Sequence, residues 1–216
     1  MEINVTIPNH LSEITLRQYK RFLTVHEEND DVNFVQAKMM EIFCGVSHKV
    51  ATQMKYSDVE SITGTITEMF LQKPQLVNTF KMNDKEYGFI PDLDDMTLGE
   101  YIDLDSFTGE YDNIEVAMNV LYRPIKAKVG SKYIIKDYNT ETKDEMLDMP
   151  MDAVISSLFF FLNLGLELSQ ITLNYLKNPK ATHLEEYKHF QQNMDGISRF
   201  LPYLEETLSE LKISLN

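Results

Sequence analysis

The residues best equipped for chemistry in this chain are scattered along it. Five histidines stand at positions 10, 26, 48, 183 and 189. His183 and His189 are six apart, which puts them on different faces of a helix, and neither has a glutamate at zincin spacing. Solvated histidines are expected there, not metal ligands. The acidic run at Asp92, Asp94 and Asp95 suggests a calcium loop but breaks the EF-hand pattern. Met96 and Thr97 occupy the fifth and sixth positions, where an oxygen ligand and a glycine are needed. Glu100 and Asp103 lie about one helical turn apart. The sequence implies no apolar pocket that would raise either pKa into the range of a general acid. Eight glycines form neither a dinucleotide-binding fingerprint nor a P-loop. Cys44, the single cysteine, sits in the apolar stretch Met39-Met-Glu-Ile-Phe-Cys44, where a buried structural thiol is expected. No set of His, Cys and Asp or Glu is visible along the sequence, and a triad would have to be assembled by the fold. The expectation is a non-enzymatic protein with no catalytic, cofactor-binding or metal-binding residues.

Charge distribution says more than any motif. The 216 residues carry a net charge of −14, which repels phosphate backbones and anionic lipid surfaces, so no sequence-specific nucleic-acid binding is expected. Residues 84–115 hold eleven acids and one base, Lys85, for a local charge of −10. Residues 123–143 then carry Arg123, Lys126, Lys128, Lys132, Lys136 and Lys143 against Asp137 and Glu141, a local charge of +4. Two solvated faces of one fold would account for this. So would an electrostatic head-to-tail seam between identical subunits.

Elements that position these residues follow from periodicity and capping. With 43% hydrophobic residues there is material for a sizeable core. The N-terminus lacks a basic segment leading into an apolar one, so no signal peptide is expected. Residues 3–7 alternate as a half-buried strand does. Thr15 and Gln18 have capping-box spacing ahead of a helix burying Leu16, Tyr19, Phe22 and Leu23. Val32, Val35, Met39, Ile42 and Phe43 mark a second helix ending at Gly45, and Ser57 with Glu60 opens a third. Hairpins are expected over 76–82 and 86–90, turning at Asn83-Asp84-Lys85, and over 125–129 and 133–137, turning at Gly130-Ser131. Between them, Thr97 caps a short helix with Leu98, Tyr101, Ile102 and Leu104, and a second runs through Ile114 and Leu121.

Pro150 then starts a long helix reaching about Lys177, with further helices over 182–194 and 197–213. Its apolar run, 153–168, is interrupted by Ser156, Ser157 and Asn163 and is short of the ~20 residues a membrane span needs. Phe159, Phe160 and Phe161 cover about 200° of helical arc, so that helix is either buried on most sides or meets another protein. The fold class expected is mainly α with small β-hairpins (α+β). Residues 1–149 would form a mixed domain, and 150–216 a bundle-like helical subdomain.

Three stretches carry a resemblance. They are Phe89-Ile-Pro-Asp-Leu-Asp-Asp-Met-Thr-Leu-Gly-Glu-Tyr-Ile-Asp-Leu-Asp105, Ala117-Met-Asn-Val-Leu-Tyr-Arg-Pro124 and Met149-Pro-Met-Asp-Ala-Val-Ile-Ser-Ser-Leu-Phe-Phe-Phe-Leu-Asn-Leu164. Together they resemble a protein of the structural gene modules of tailed bacteriophages, including the crAss-like phages. The resemblance spans roughly residues 80–175, about half the chain. It is a pattern of apolar, acidic and aromatic positions and brings no functional residues with it. It implies a virion protein made in the host cytoplasm and placed in the head interior or tail, as packaged cargo or as a tail or neck ring component. A tail assembly chaperone absent from the mature particle is the alternative. Partners would be other virion proteins, or copies of itself in a ring. The residues expected to meet them are Asp92, Asp94, Asp95, Tyr101, Arg123, Lys126, Lys128, Phe159, Phe160 and Phe161.

Overall fold

Thr15 begins the first long helix as its spacing requires. Its hydroxyl accepts from the Gln18 backbone N–H at 3.2 Å, and the Gln18 side chain accepts from the Thr15 N–H at 2.9 Å. The helix, α1 (Leu16–Glu27), buries Leu16, Tyr19, Phe22 and Leu23, the stripe that the 3.6-residue period predicts. The structure, a computed structural model, describes residues 5–105 and 113–177. The helices expected over 182–194 and 197–213, with His183, His189, Glu110 and Asp112, lie outside the described residues.

Asp31 caps α2 (Val32–Cys44) by accepting from the Asn33 and Phe34 N–H groups, and Gly45 ends it in the left-handed region at φ 68°. Val32, expected on the buried stripe, is exposed, because the first turn of α2 overhangs the contact with α1. A four-residue helix, α3 (His48–Ala51), follows and has no periodicity long enough to betray it. The helix α4 (Tyr56–Phe70) starts two residues earlier than a Ser57 cap would place it. Lys55 is its N-cap, and Ser57 sits inside the first turn with its hydroxyl on Asp58, so no capping box forms. The alternation expected to form a strand over residues 3–7 yields none at residues 5–7, the part of it that lies among the described residues.

Four strands make one antiparallel sheet in the order β1 (Thr79–Met82), β2 (Lys85–Phe89), β3 (Tyr122–Val129), β4 (Lys132–Ile135). The first hairpin turns on Asn83 and Asp84 alone, both at positive φ (50° and 58°), the backbone a two-residue type I′ turn demands. Gly130 at φ 62° opens the second turn. The two hairpins anticipated separately are joined through β2 and β3, where Phe89 stands opposite Tyr122. Helices α5 (Leu98–Asp105) and α6 (Ile114–Leu121) fall between those strands in sequence, and α6 passes into β3 without an intervening residue. A 3-10 helix (Thr140–Asp148) then leads to α7 (Met151–Lys177).

Chain start and C-terminal helix are stapled together. Leu16 N–H donates to Met149 O at 3.0 Å, and Met151 N–H donates to Ile14 O at 2.9 Å, forming a two-bond bridge across Thr15 and Pro150. Residues Met151, Ala153, Val154, Ile155 and Leu158 are almost wholly buried in the same core as Leu16, Met118 and Tyr122. The first turns of α7 therefore share one core with the sheet and with α1 and α6. The architecture is a mainly helical α+β fold. No described helix is long and apolar enough to cross a membrane.

One contact fixes how the second hairpin lies on the first. Tyr133 of β4 reaches across β3 to Gly88 of β2, and its hydroxyl donates to Phe89 O at 2.8 Å, with Asn78 O at 3.2 Å. A Cβ at Gly88 would stand 2.5 Å from the Tyr133 ring, closer than carbon atoms approach. Gly88→Ala should therefore displace the ring and lower stability by about 1–3 kcal/mol in urea denaturation. In a Tyr133→Ala background the same change should cost little. Equal costs in both backgrounds would refute this account of Gly88.

Candidate contact surface

The expected interface residues separate into two groups once folded. Asp92, Asp94 and Asp95 are exposed in the loop after β2, and Asp92 accepts from the Asp94 N–H at 3.0 Å, a local turn bond. Lys126 and Lys128 are exposed on β3, and Tyr101 is half-buried on α5. The other group is internal. Arg123 is buried at the start of β3, where its Nη1 donates to the equally buried Glu100 of α5. Phe159 and Phe161 are buried, and Phe160 packs edge-on against Phe89 with ring centres 5.5 Å apart. Phe161 also meets Phe89, with ring centres 6.2 Å apart, whereas Phe159 lies beneath Lys73 Nζ, 5.8 Å from its ring centre. Arg123 is unavailable to a partner because α5 folds over it.

Part of the acidic belt is likewise answered within the molecule. Glu86 pairs with Lys128, Glu115 with Lys20 at 2.7 Å, and Asp103 accepts from the Tyr138 hydroxyl at 2.7 Å. Burial and then that bond to Asp103 hold the Tyr138 phenol well above its ordinary pKa. Glu100 also closes the expected box at the start of α5, accepting from Thr97 N–H at 2.6 Å. The Glu100–Asp103 pair weighed for acid–base work is therefore split, with one carboxylate on a guanidinium and the other on a phenol.

The fold does assemble one serine, histidine and aspartate. Ser12 Oγ lies 2.9 Å from His10 Nδ1, and Asp152 Oδ2 lies 3.8 Å from the same nitrogen. A catalytic relay needs the serine on one ring nitrogen and the carboxylate on the other. Here both address Nδ1, which also accepts from the Ser12 N–H at 3.2 Å as a cap for the 3-10 turn Leu11–Glu13. The cluster borders an open cleft of about 480 Å³ between that turn, β1 and the start of α7, lined by Thr15, Val77, Phe80, Asn83 and Asp152. Burial raises the Asp152 carboxyl, and the Ala153 N–H and His10 partly offset that. Cys44 is half-buried, and burial pushes its thiol up, opposite to an activated nucleophile. Among the described residues no group of three or more His, Cys, Asp or Glu side chains is gathered to hold a metal.

Sequence reasoning missed the exposed apolar residues. Val129 (83% exposed) and Ile134 (63%) crown the β3–β4 hairpin, and Leu98 (75%) and Ile102 (54%) line the outer side of α5. Of the apolar residues named for this helix, Leu104 is buried while Leu98 and Ile102 face outward. Their spacing of four was a signal of a second apolar face, separate from the one that packs. On the same hairpin Lys126, Lys132 and Lys136 are exposed and make no ion pair with a described residue, as is also true of Asp92, Asp94 and Asp95 in the loop before α5.

Two measurements test the electrostatics. Removing one partner of a buried pair leaves an uncompensated charge, so Arg123→Met or Glu100→Gln alone should cost about 3–5 kcal/mol, and the double variant distinctly less than the sum. Additive losses in a double-mutant cycle would show the pair to be uncoupled. For Asp152, folding favours the protonated form, so its contribution is present in acid and is lost as pH rises through the raised value. Asp152→Asn keeps the acceptor for Ala153 and removes the titration. Its stability relative to the wild type should therefore climb from about pH 4 towards neutrality and then level off; a flat or falling difference would contradict the assignment. Comparison of the chain with models of protein families, with curated proteins and with solved structures found no match.

Proposed function

We propose that this chain is a virion-associated or assembly protein of a tailed bacteriophage that works through protein–protein contacts and carries out no catalysis. The observation behind the contact role is that exposed Val129 and Ile134 share the β3–β4 hairpin with Lys126, Lys132 and Lys136, and exposed Leu98 and Ile102 follow Asp92, Asp94 and Asp95, none of these charges making an ion pair with a described residue. Isolated exposed apolar residues are ordinary, but such residues grouped and rimmed by charge are what interfaces use. The phage setting rests on the resemblance of residues 80–175. A net charge of −14 suits a protein that shares a compartment with DNA without adhering to it.

Mass spectrometry of gradient-purified particles, with copy number measured against the major capsid protein, tests the reading. Fixed stoichiometry in multiples of the portal's rotational order is the result expected of a ring or neck component. Large or variable copy number would support packaged cargo within the same reading. Absence from the particle, with abundance in infected cells, would overturn the virion assignment in favour of an assembly chaperone.

A further inference from the structure

We infer that the free edge of β1 takes up an extended segment of a partner protein as a further strand, with a lysine or arginine of that segment on Asp152. Bonded and non-bonded pairs alternate along an antiparallel ladder, which shows what the edge offers. Phe89 N–H donates to Asn78 O at 2.9 Å, so Phe80 and Met82, two and four residues on from Asn78, turn their backbone groups to β2. Ile90 N–H donates to Leu121 O at 2.7 Å, so Gly88 turns its own to β3 and leaves Thr79 opposite it unbonded. Val77, Thr79 and Lys81 therefore point their N–H and C=O groups away from β2. At Val77 both groups are met, by Ser156 and by the Tyr122 hydroxyl. At Thr79 and Lys81 no described residue bonds either group.

The open cleft lies along this edge. Its lining takes in five consecutive residues, 79–83, on one side and Ser12, Thr15, Pro150 and Asp152 on the other. Successive strand residues point to opposite faces, so a cleft bordering all five follows the edge and not one face of the sheet. The four residues of β1 at about 3.3 Å each give it a length of roughly 13 Å, and its volume of about 480 Å³ leaves room for a short stretch of chain. Donors and acceptors repeating every second residue are matched by another extended backbone, which is how sheet edges capture peptides. Asp152 supplies the selectivity. It is 8% exposed, and no described lysine or arginine pairs with it. The one base within ion-pair distance among the described residues, His10, stands 3.8 Å away and is itself mostly exposed. Burial raises the Asp152 carboxyl, and a cation entering the cleft would offset that. A basic segment also suits a chain of net charge −14. The site is at the opposite edge of the sheet from β4. It adds a contact to the proposed role and holds whether or not the chain belongs to a phage.

Amide hydrogen exchange of the full chain, followed residue by residue by NMR, reads the edge directly. In the free protein Thr79 and Lys81 should exchange at least about 10-fold faster than Phe80 and Met82. Protection of Thr79 and Lys81 that grows with protein concentration would put a second copy on the edge, and protection at every concentration would show the chain covering it; either overturns the proposal. Binding is probed with blocked seven-residue peptides of threonine and valine that carry one lysine, one glutamate or neither, placed at each position in turn. In one register the lysine peptide should bind about 10-fold more tightly than its glutamate and uncharged counterparts, and should slow exchange at Thr79 and Lys81. N-methylating its alternate amides should abolish binding in one register and spare it in the other, because only every second N–H faces the edge. Asp152→Asn should weaken the lysine peptide about 10-fold and leave the uncharged one unchanged. Lys81→Pro removes an outward N–H and no ladder bond, and should abolish binding of every peptide. No binding at about 1 mM peptide, no preference for lysine, or binding that survives N-methylation in both registers would overturn the proposal.

Discussion

Tyr122 is the point on which the described structure turns. It is the first residue of β3 and follows α6 directly, so the chain passes from helix to strand inside the core. Its hydroxyl donates towards Val77 O at 2.9 Å, with Ala153 O at 3.3 Å, and its ring contacts Phe80 and Phe89 at centroid separations of 5.2 Å. One side chain thereby ties the segment entering β1, the strand β2 and the first turn of α7. A tyrosine can do this because its ring fills the core while its hydroxyl satisfies backbone carbonyls that would otherwise be buried unpaired. Ser156 completes the arrangement by accepting from the Val77 N–H at 3.1 Å. Both polar groups of Val77 are thus met by side chains from elsewhere in the chain, which removes any need for a further strand beside residues 76–78.

The other polar device in the interior, Glu100 with Arg123, has a different physical meaning. Desolvating two charges costs about as much as their attraction returns, so such a pair adds little stability over a well-packed apolar substitute. What it adds is orientation. Glu100 is held by the Thr97 N–H as well as by the guanidinium, so α5 is fixed in rotation against the sheet end. With Glu100 held on the inner side of α5, Leu98 and Ile102 face outward.

Charge in this protein divides along the same lines. Among the described residues, Glu86, Glu100 and Glu115 are answered by bases within the fold, while Asp92, Asp94 and Asp95 are displayed in the loop after β2. The same division holds for the bases, with Arg123, Lys20 and Lys128 turned inward or across the sheet and Lys126, Lys132 and Lys136 displayed.

Local chemistry in the sequence determined most of the elements. The Thr15–Gln18 and Thr97–Glu100 boxes, the stop at Gly45, the positive-φ turn at Asn83-Asp84 and the glycine turn at 130 are all decided within a few residues, where side chain and backbone meet directly. The amphipathic stripe of α1 was legible for the same reason. Tertiary structure alone decided the pairing of β2 with β3, since Phe89 and Tyr122 are opposed across two intervening helices and no local period encodes a partner that distant. It alone decided that Ser57 lies inside a helix and that Val32, Leu98 and Ile102 face outward. It also decided that Arg123 and the phenylalanines at 159–161 face inward. Apolar or charged identity predicts a preference for burial or water, but which side chain obtains it depends on what packs opposite, and that is settled only when α5, the sheet and α7 come together.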